Sequence, residues 1–269
     1  MSKGFVILAQ NTRTVNYIQC AEMLAYSLKK HMPNIPVSII TTSKVKSKYF
    51  DQVIQLPYGD LDPTGTWKLI NDWQIYEASP YDYTIKLEAD LFITSPIDYW
   101  FEILKDRDLV VSTTIRDFHN RISDCLVYRK FITDNKLPNV YNAITYFKKS
   151  ELAEQFFALV KDIFENWSRY LSILKSNVGE PVTTDWVYAI ACHLLGVEKT
   201  TLPSFTQMSM IHMKMYVNNL VTEEWHKELV YECLPDTLRI NTVPQMYPFH
   251  YHRKEFSEEL KASYIWNLT

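Results

Sequence analysis

The stretch that most limits the fold lies at the start of the chain. Phe5-Val6-Ile7-Leu8-Ala9 is an uninterrupted apolar run, and a strand that is apolar at every position is one covered on both faces. A polar loop over 10–16 follows. Ile18, Ala21, Leu24, Ala25 and Leu28 then recur at helical spacing, and Lys29, Lys30 and His31 close that helix where its dipole favours positive charge. Pro33 and Pro36 stop it. Residues 37–40 and 53–56 read as two further strands. Strand, helix, strand in this order predicts an α/β fold with a mostly parallel central sheet, flanked by helices and joined by right-handed crossovers.

The rest of the chain continues the alternation. Residues 58–65 read as a loop with Gly59, Pro63 and Gly65, and a helix is expected from Trp67 to Ala78, ending before Pro80. A strand over 83–87 ends at Glu88-Ala89-Asp90, with Leu91-Phe92-Ile93 continuing it until Pro96. A short helix over 97–104 and a strand over 109–112 follow. Residues 114–140 are polar and irregular, which predicts a loop over the site. A strand over 141–147 leads to Ser150, a good N-cap for a helix turning Phe156, Val160, Ile163 and Trp167 inward. Another helix begins near Thr184 and carries Val187, Ile190 and Leu194. With no repeat or linker, 269 residues predict one domain. It divides into a first half over about 1–115 and a second half over about 116–269.

Composition removes several functions. Only 5 residues are Gly, and neither G-x-G-x-x-G nor G-x-x-x-x-G-K occurs, so a glycine-loop nucleotide site is excluded. A net charge of -3 is not that of a dedicated nucleic-acid binder. Cys20, Cys125, Cys192 and Cys233 are widely spread, which fits free thiols in a reducing compartment. No apolar stretch approaches ~18 residues, and the first run is too short for a signal peptide, so no membrane span and a cytoplasmic location are expected. Aromatic residues make up 14% of the chain, enough to stack on sugars or bases or simply to fill a core.

Three acidic-x-acidic triplets occur, at Asp60/Asp62, Glu88/Asp90 and Asp106/Asp108, and only Glu88/Asp90 ends an apolar strand. Carboxylates two apart on an extended chain share a face. At a strand's C-terminal end in an open α/β sheet they meet the usual ligand crevice. Hard cations such as Mg²⁺ or Mn²⁺ take oxygen ligands of this kind and neutralise charge on a departing diphosphate. The bland alternative is an exposed strand end.

In combination these segments resemble the GT-A glycosyltransferases, in particular the glycogenin-like and galactosyltransferase-like branch and its phage-encoded relatives. TIKLEADLFI at 84–93 looks like that family's Asp-x-Asp strand, YNAITYFKKS at 141–150 its later Asn-containing strand, and TTDWVYAI at 183–190 the acidic helix start that follows. The resemblance covers roughly residues 4–195 in motif order. It implies a nucleotide-sugar donor, a UDP-sugar as the commonest, and Mn²⁺ or Mg²⁺, with about 1–115 as the nucleotide-sugar-binding half and about 116–269 as the acceptor half. Asp90 is then the main metal ligand, with Glu88, where Asp is usual, on the metal or the ribose. Gln10, Asn11 and Thr12 match the loop on the base and ribose, and Lys68 a helix position near the donor. Asn142 and Asp185 fall near the transferred sugar and acceptor. A third ligand near the C-terminus is His250 or His252, of which one is expected to face the site, and Lys254 or Arg253 neutralises the diphosphate.

The phage-encoded relatives also suggest an acceptor hydroxyl on modified DNA, such as 5-hydroxymethylcytosine, with Arg116, Phe118, His119, Arg121, Arg129 and Lys130 as a DNA-facing loop. Phosphate neutralisation dominates DNA affinity, so the acidic balance favours a glycan, protein or small-molecule hydroxyl as much. Metal-dependent phosphoryl transfer is a competing reading that needs more converging carboxylates. A non-catalytic nucleotide-binding protein is another. His31, His119, His193, His212 and His226 lack metal spacing and receive no role.

Overall fold

The computed structural model describes residues 1–62, 64–65, 68–175, 182–234 and 237–265. In chain order its strands are β1 (Lys3–Leu8), β2 (Val37–Ile40), β3 (Gln52–Ile54), β4 (Tyr83–Glu88), β5 (Leu91–Phe92), β6 (Leu109–Ser112), β7 (Thr114–Arg116), β8 (Ile122–Ser123), β9 (Tyr141–Lys148), β10 (Ser209–His212), β11 (Tyr231–Leu234), β12 (Thr237–Ile240), β13 (Val243–Pro244) and β14 (Phe249–His250). The main sheet runs β3-β2-β1-β4-β9-β6. Its pairs are parallel from β3 to β4, and β9 alone is reversed, lying antiparallel to both β4 and β6. The fold is thus the expected α/β class with a mostly parallel sheet flanked by helices.

Apolar residues on both faces of β1 explain why it sits at the centre. Phe5 and Ile7 point to one face, where helix Tyr17–His31 packs through Leu24 and Leu28. Val6 points to the other, among Phe156, Val160 and Tyr188 of helices Glu151–Glu165 and Thr184–Leu195. Ser150 caps the first of these at the nitrogen of Ala153, and Thr183 caps the second at that of Trp186. One inward assignment moves: Leu194 is 54% exposed. Trp167 begins a further helix, Trp167–Ile173, yet packs half-buried against the same core.

The expected helix over 67–78 is a 3₁₀ stretch, Lys68–Gln74, running into the α-turn Ile75–Ala78; its start at Trp67, like Pro63, lies outside the described residues. Leu91 and Phe92 do not continue β4. The chain turns at Ala89-Asp90 and enters a second sheet, ordered β5-β14-β10-β7-β8, where β5 runs antiparallel to β14. The reason is a separate apolar core in which Phe92, Ile211, Phe249, Trp225 and Phe256 pack together with Met23 and Tyr26 from the back of helix Tyr17–His31.

The 114–140 region is also more ordered than expected. β7 pairs with β10 and β8, and helix Lys130–Asp134 follows. The two chain halves interleave, since β9 completes the main sheet and β5 completes the second. Strands β11 to β13 form a small antiparallel sheet. Among the described residues no helix is long and apolar enough to cross a membrane.

Candidate active site and metal centre

The parallel strands end on one side of the main sheet, where loops must leave and orphan backbone groups gather. A cleft of about 700 Å³ opens there. It is lined by the end of β1 and its loop (Leu8, Gln10, Thr12), by Glu88 and Asp90 at the end of β4, and by the start of β9 at Asn142. From the second sheet come His212 and His250, with His252 and Lys254 just beyond.

The turn that moves the chain between sheets is what places Asp90. Its backbone oxygen accepts from Tyr251 N at 3.3 Å, and its side chain is 6% exposed. His250 Nε2 lies 3.0 Å from Asp90 Oδ2 and 3.5 Å from Glu88 Oε2, and Lys254 Nζ pairs with the same Asp90 oxygen. Burial works against the Asp90 anion, but His250 and Lys254 outweigh it and hold the carboxyl far below the usual range. Burial pushes Glu88 up; His250 opposes the rise and Asp90 adds to it. Burial lowers Lys254, yet Asp90 more than compensates and raises it above its ordinary value. Two adjacent carboxylates out of bulk water therefore depend on borrowed positive charge. Ligands about 2.0–2.1 Å from an octahedral cation stand about 3 Å apart, close to the spans observed. Glu88, Asp90 and His250 each place a ligand atom within 4.8 Å of the others, and this donor set fits a hard divalent cation.

His250 and His252 both reach the cleft, against the expectation that one would turn away. β14 ends at His250, and His252 adopts φ 56°, so the backbone bends instead of alternating. Arg253 points elsewhere and pairs with Glu259 at 2.6 Å.

On the opposite wall Asp185 opens helix Thr184–Leu195. Its Oδ1 accepts from Asn142 N at 2.9 Å, and its Oδ2 pairs with Arg129 Nη1. Arg129 also donates to Asn139 Oδ1 at 3.0 Å and to the Val140 carbonyl. Lys86, two residues before Glu88 on β4, donates to the Asn142 carbonyl at 3.0 Å and pairs with Asp72 at 3.0 Å, which accepts from Tyr188 at 2.5 Å. The side-chain nitrogens of Asn142 and Gln10 are buried with no partner among the described residues. Gln10 Oε1 accepts from Asn71 at 2.9 Å. Both free amides line the cleft and are donors for a ligand.

The remaining candidates divide. Thr12 lines the cleft, its hydroxyl accepting from Val15 N at 3.1 Å. Asn11 is exposed and accepts from Ile18 N at 3.0 Å, at the entry of the first helix. Lys68 lines the cleft but is paired with Asp60 and donates to the Asp62 carbonyl at 2.6 Å. Arg116 is buried, donating to Ser209, Asn120 and Thr206 and stacked 3.8 Å from the Tyr247 ring. Phe118 is buried too. Of the six residues expected in a DNA-facing loop, Arg116, Phe118 and Arg129 are spent on internal contacts, whereas His119, Arg121 and Lys130 are exposed.

Sequence reasoning missed His212, Arg129, Lys86 and Lys214 as cleft residues. His212 ends a short apolar run and carries no spacing signal; β10 sets it beside His250 in parallel register. Lys86 was the one visible anomaly, a cation inside an apolar strand.

No protein-family model matches the chain, and no curated protein matches it. Among solved structures it is similar to the glycosyltransferase GlyE of Streptococcus pneumoniae TIGR4 in its apo form, at 13% identity and a TM-score of 0.43, over 80% of this chain and 48% of that one. A second GlyE structure gives 12% and 0.41, over 76% and 46%. The chain spans about half the length of the GlyE chains it matches. It is also similar to the galactosyltransferase LgtC in complex with donor and acceptor sugar analogs, at 14% identity and a TM-score of 0.43, over 70% of each chain.

Proposed function

We propose that the chain is a metal-assisted glycosyltransferase that moves a sugar from a nucleoside diphosphate, a UDP-sugar by resemblance, to a hydroxyl acceptor. The observation that carries this reading is the convergence of Glu88, Asp90, His250 and Lys254 on one cleft at the end of β4. Its volume suits a ligand of nucleotide-sugar size. Asp90, with Glu88 and His250, would hold Mn²⁺ or Mg²⁺, whose chemistry here is neutralisation of charge on the leaving diphosphate. Lys254, now on Asp90, adds a second positive group to that end of the cleft. Gln10 and Thr12 lie where the base and ribose are expected, and Lys68 beside the donor. Asn11 acts through the shape of the loop. Asn142 offers its free amide to the sugar. Asp185, with both oxygens engaged, positions this wall.

The acceptor is a hydroxyl of a glycan, protein or small molecule. Arg116 and Arg129 being buried and engaged weighs against 5-hydroxymethylcytosine in phage DNA, which stays as the alternative acceptor. Phosphoryl transfer is disfavoured, since the further cleft carboxylates Asp72 and Asp185 are already paired with Lys86 and Arg129, and Glu223 accepts from Met215 N at 3.3 Å. Four free cysteines, two of them buried, support a cytoplasmic setting, and the interleaved sheets support one functional unit. The test is a panel of nucleotide sugars with Mn²⁺ or Mg²⁺, scored for nucleotide release with and without acceptors, hydroxymethylated duplex DNA among them. Metal-dependent release that stops with chelator is expected. Release from none of the donors, or release indifferent to chelator, overturns the reading.

A further inference from the structure

Beside the carboxylate site stands a second cluster that sugar transfer does not use. His212, His250 and His252 each place a ring nitrogen within 4.8 Å of the others. His252 Nε2 lies 3.3 Å from His212 Nδ1, and the His250 and His252 rings are 4.0 Å apart at their centroids. We propose that these three imidazoles form a cation site for a borderline divalent transition metal of the Zn²⁺ class, sharing His250 with Glu88 and Asp90. The reading rests on the carboxylate site only for that shared residue.

Three observations carry it. First, the spacing fits: nitrogens about 2.0–2.1 Å from a tetrahedral ion are about 3.3–3.4 Å apart, and the His212–His252 pair has that span. Second, His250 Nδ1 is buried and has no hydrogen-bond partner among the described residues. A buried polar atom without a partner calls for a ligand. Third, His252 holds φ 56°, a conformation rare outside Gly. Without that bend its ring would not fold back over His250. Backbone strain held in place by its surroundings points to a function for the group it aims.

The rings are also pre-set. Tyr128 stacks on His212 at 6.0 Å, and Tyr141 meets it edge-on at 5.8 Å. Entry is open, since all three histidines line the cleft and His252 is only half-buried. Three nitrogens with no oxygen select against Mg²⁺ and Mn²⁺, which prefer the carboxylates. The two sites then differ in taste and compete for one imidazole.

Titration of the metal-free chain with Zn²⁺ or Mn²⁺ tests this by calorimetry, with Co²⁺ as a visible-absorption probe of nitrogen ligation. In His212→Gln and His252→Gln, Zn²⁺ affinity should fall by about tenfold or more and the Co²⁺ bands should fade. Mn²⁺ binding should stay as in the parent, which also shows that the variants fold. Zn²⁺ binding unchanged in both variants, or Zn²⁺ and Mn²⁺ weakened alike, overturns the proposal. Neither result depends on sugar transfer, so a failure of that reading is read separately in the donor assay.

Discussion

Asp90 carries more of the site than any other residue, because its one oxygen Oδ2 meets both His250 and Lys254. Replacing Asp90 by Asn keeps the shape and removes the charge. We expect metal-supported transfer to fall about 10²–10³-fold, the usual cost of losing one transition-state charge stabiliser, with the fold kept. Steady-state rates beside a melting curve check it, and near-parental turnover would refute the assignment. Arg129 is the second residue on which the site hangs. Its guanidinium reaches Asn139, Val140 and Asp185 at once, which an ammonium on a flexible stem does not reproduce. Arg129→Lys should therefore lower kcat about tenfold or more by misplacing Asp185 and Asn142, with the donor KM little changed. A change in KM alone would move Asp185 to the donor side.

At the level of elements, the local signals were readable and the distant pairings were not. The apolar run of β1, the helical period after Tyr17, and the caps at Ser150 and Thr183 are decided within a few residues, so sequence alone finds them. β5 is two residues long and looks like an extension of β4; only its partner β14, whose Phe249 pairs with Phe92 from 157 positions further on (249 − 92), tells it apart. Arg129 and Asp185 are 56 residues apart, and His212 meets His250 through a strand pair. Buried Arg116 was indistinguishable from a surface arginine, because what satisfies it is the Ser209 hydroxyl, the Asn120 and Thr206 carbonyls and the Tyr247 ring. One element-scale contact has a measurable consequence. A Cβ on Gly4 of β1 would stand 2.4 Å from the Tyr81 ring, and Tyr81 is itself buried and bonded to Ser38 on β2 at 2.6 Å. Gly4→Ala should destabilise by about 1–3 kcal/mol, the usual cost of overpacking. Chemical denaturation reads this directly, and an unchanged midpoint would mean that the ring moves aside freely.

For the molecule as a whole, the site lies at the seam between two sheets. Glu88 ends a strand of the main sheet, Asp90 sits on the turn between them, and His250 belongs to the second, with Lys254 just before the closing helix Phe256–Ile265. A cation bound there ties the two cores together, and a ligand that binds only the folded state stabilises it by mass action. At about 100-fold excess over its dissociation constant the gain is about 2.7 kcal/mol. At about 2–4 °C per kcal/mol for a chain of this size, Mn²⁺ should raise the melting temperature by about 5–10 °C. The increment should vanish in Asp90→Asn and survive in His212→Gln. Chelator should return the parent protein to its metal-free melting temperature. Adding UDP-sugar should raise it further only when the cation is present, because the diphosphate and the carboxylates repel until a cation lies between them. An equal rise with donor in chelator would separate nucleotide binding from the carboxylates, and an equal Mn²⁺ rise in Asp90→Asn would place the cation elsewhere.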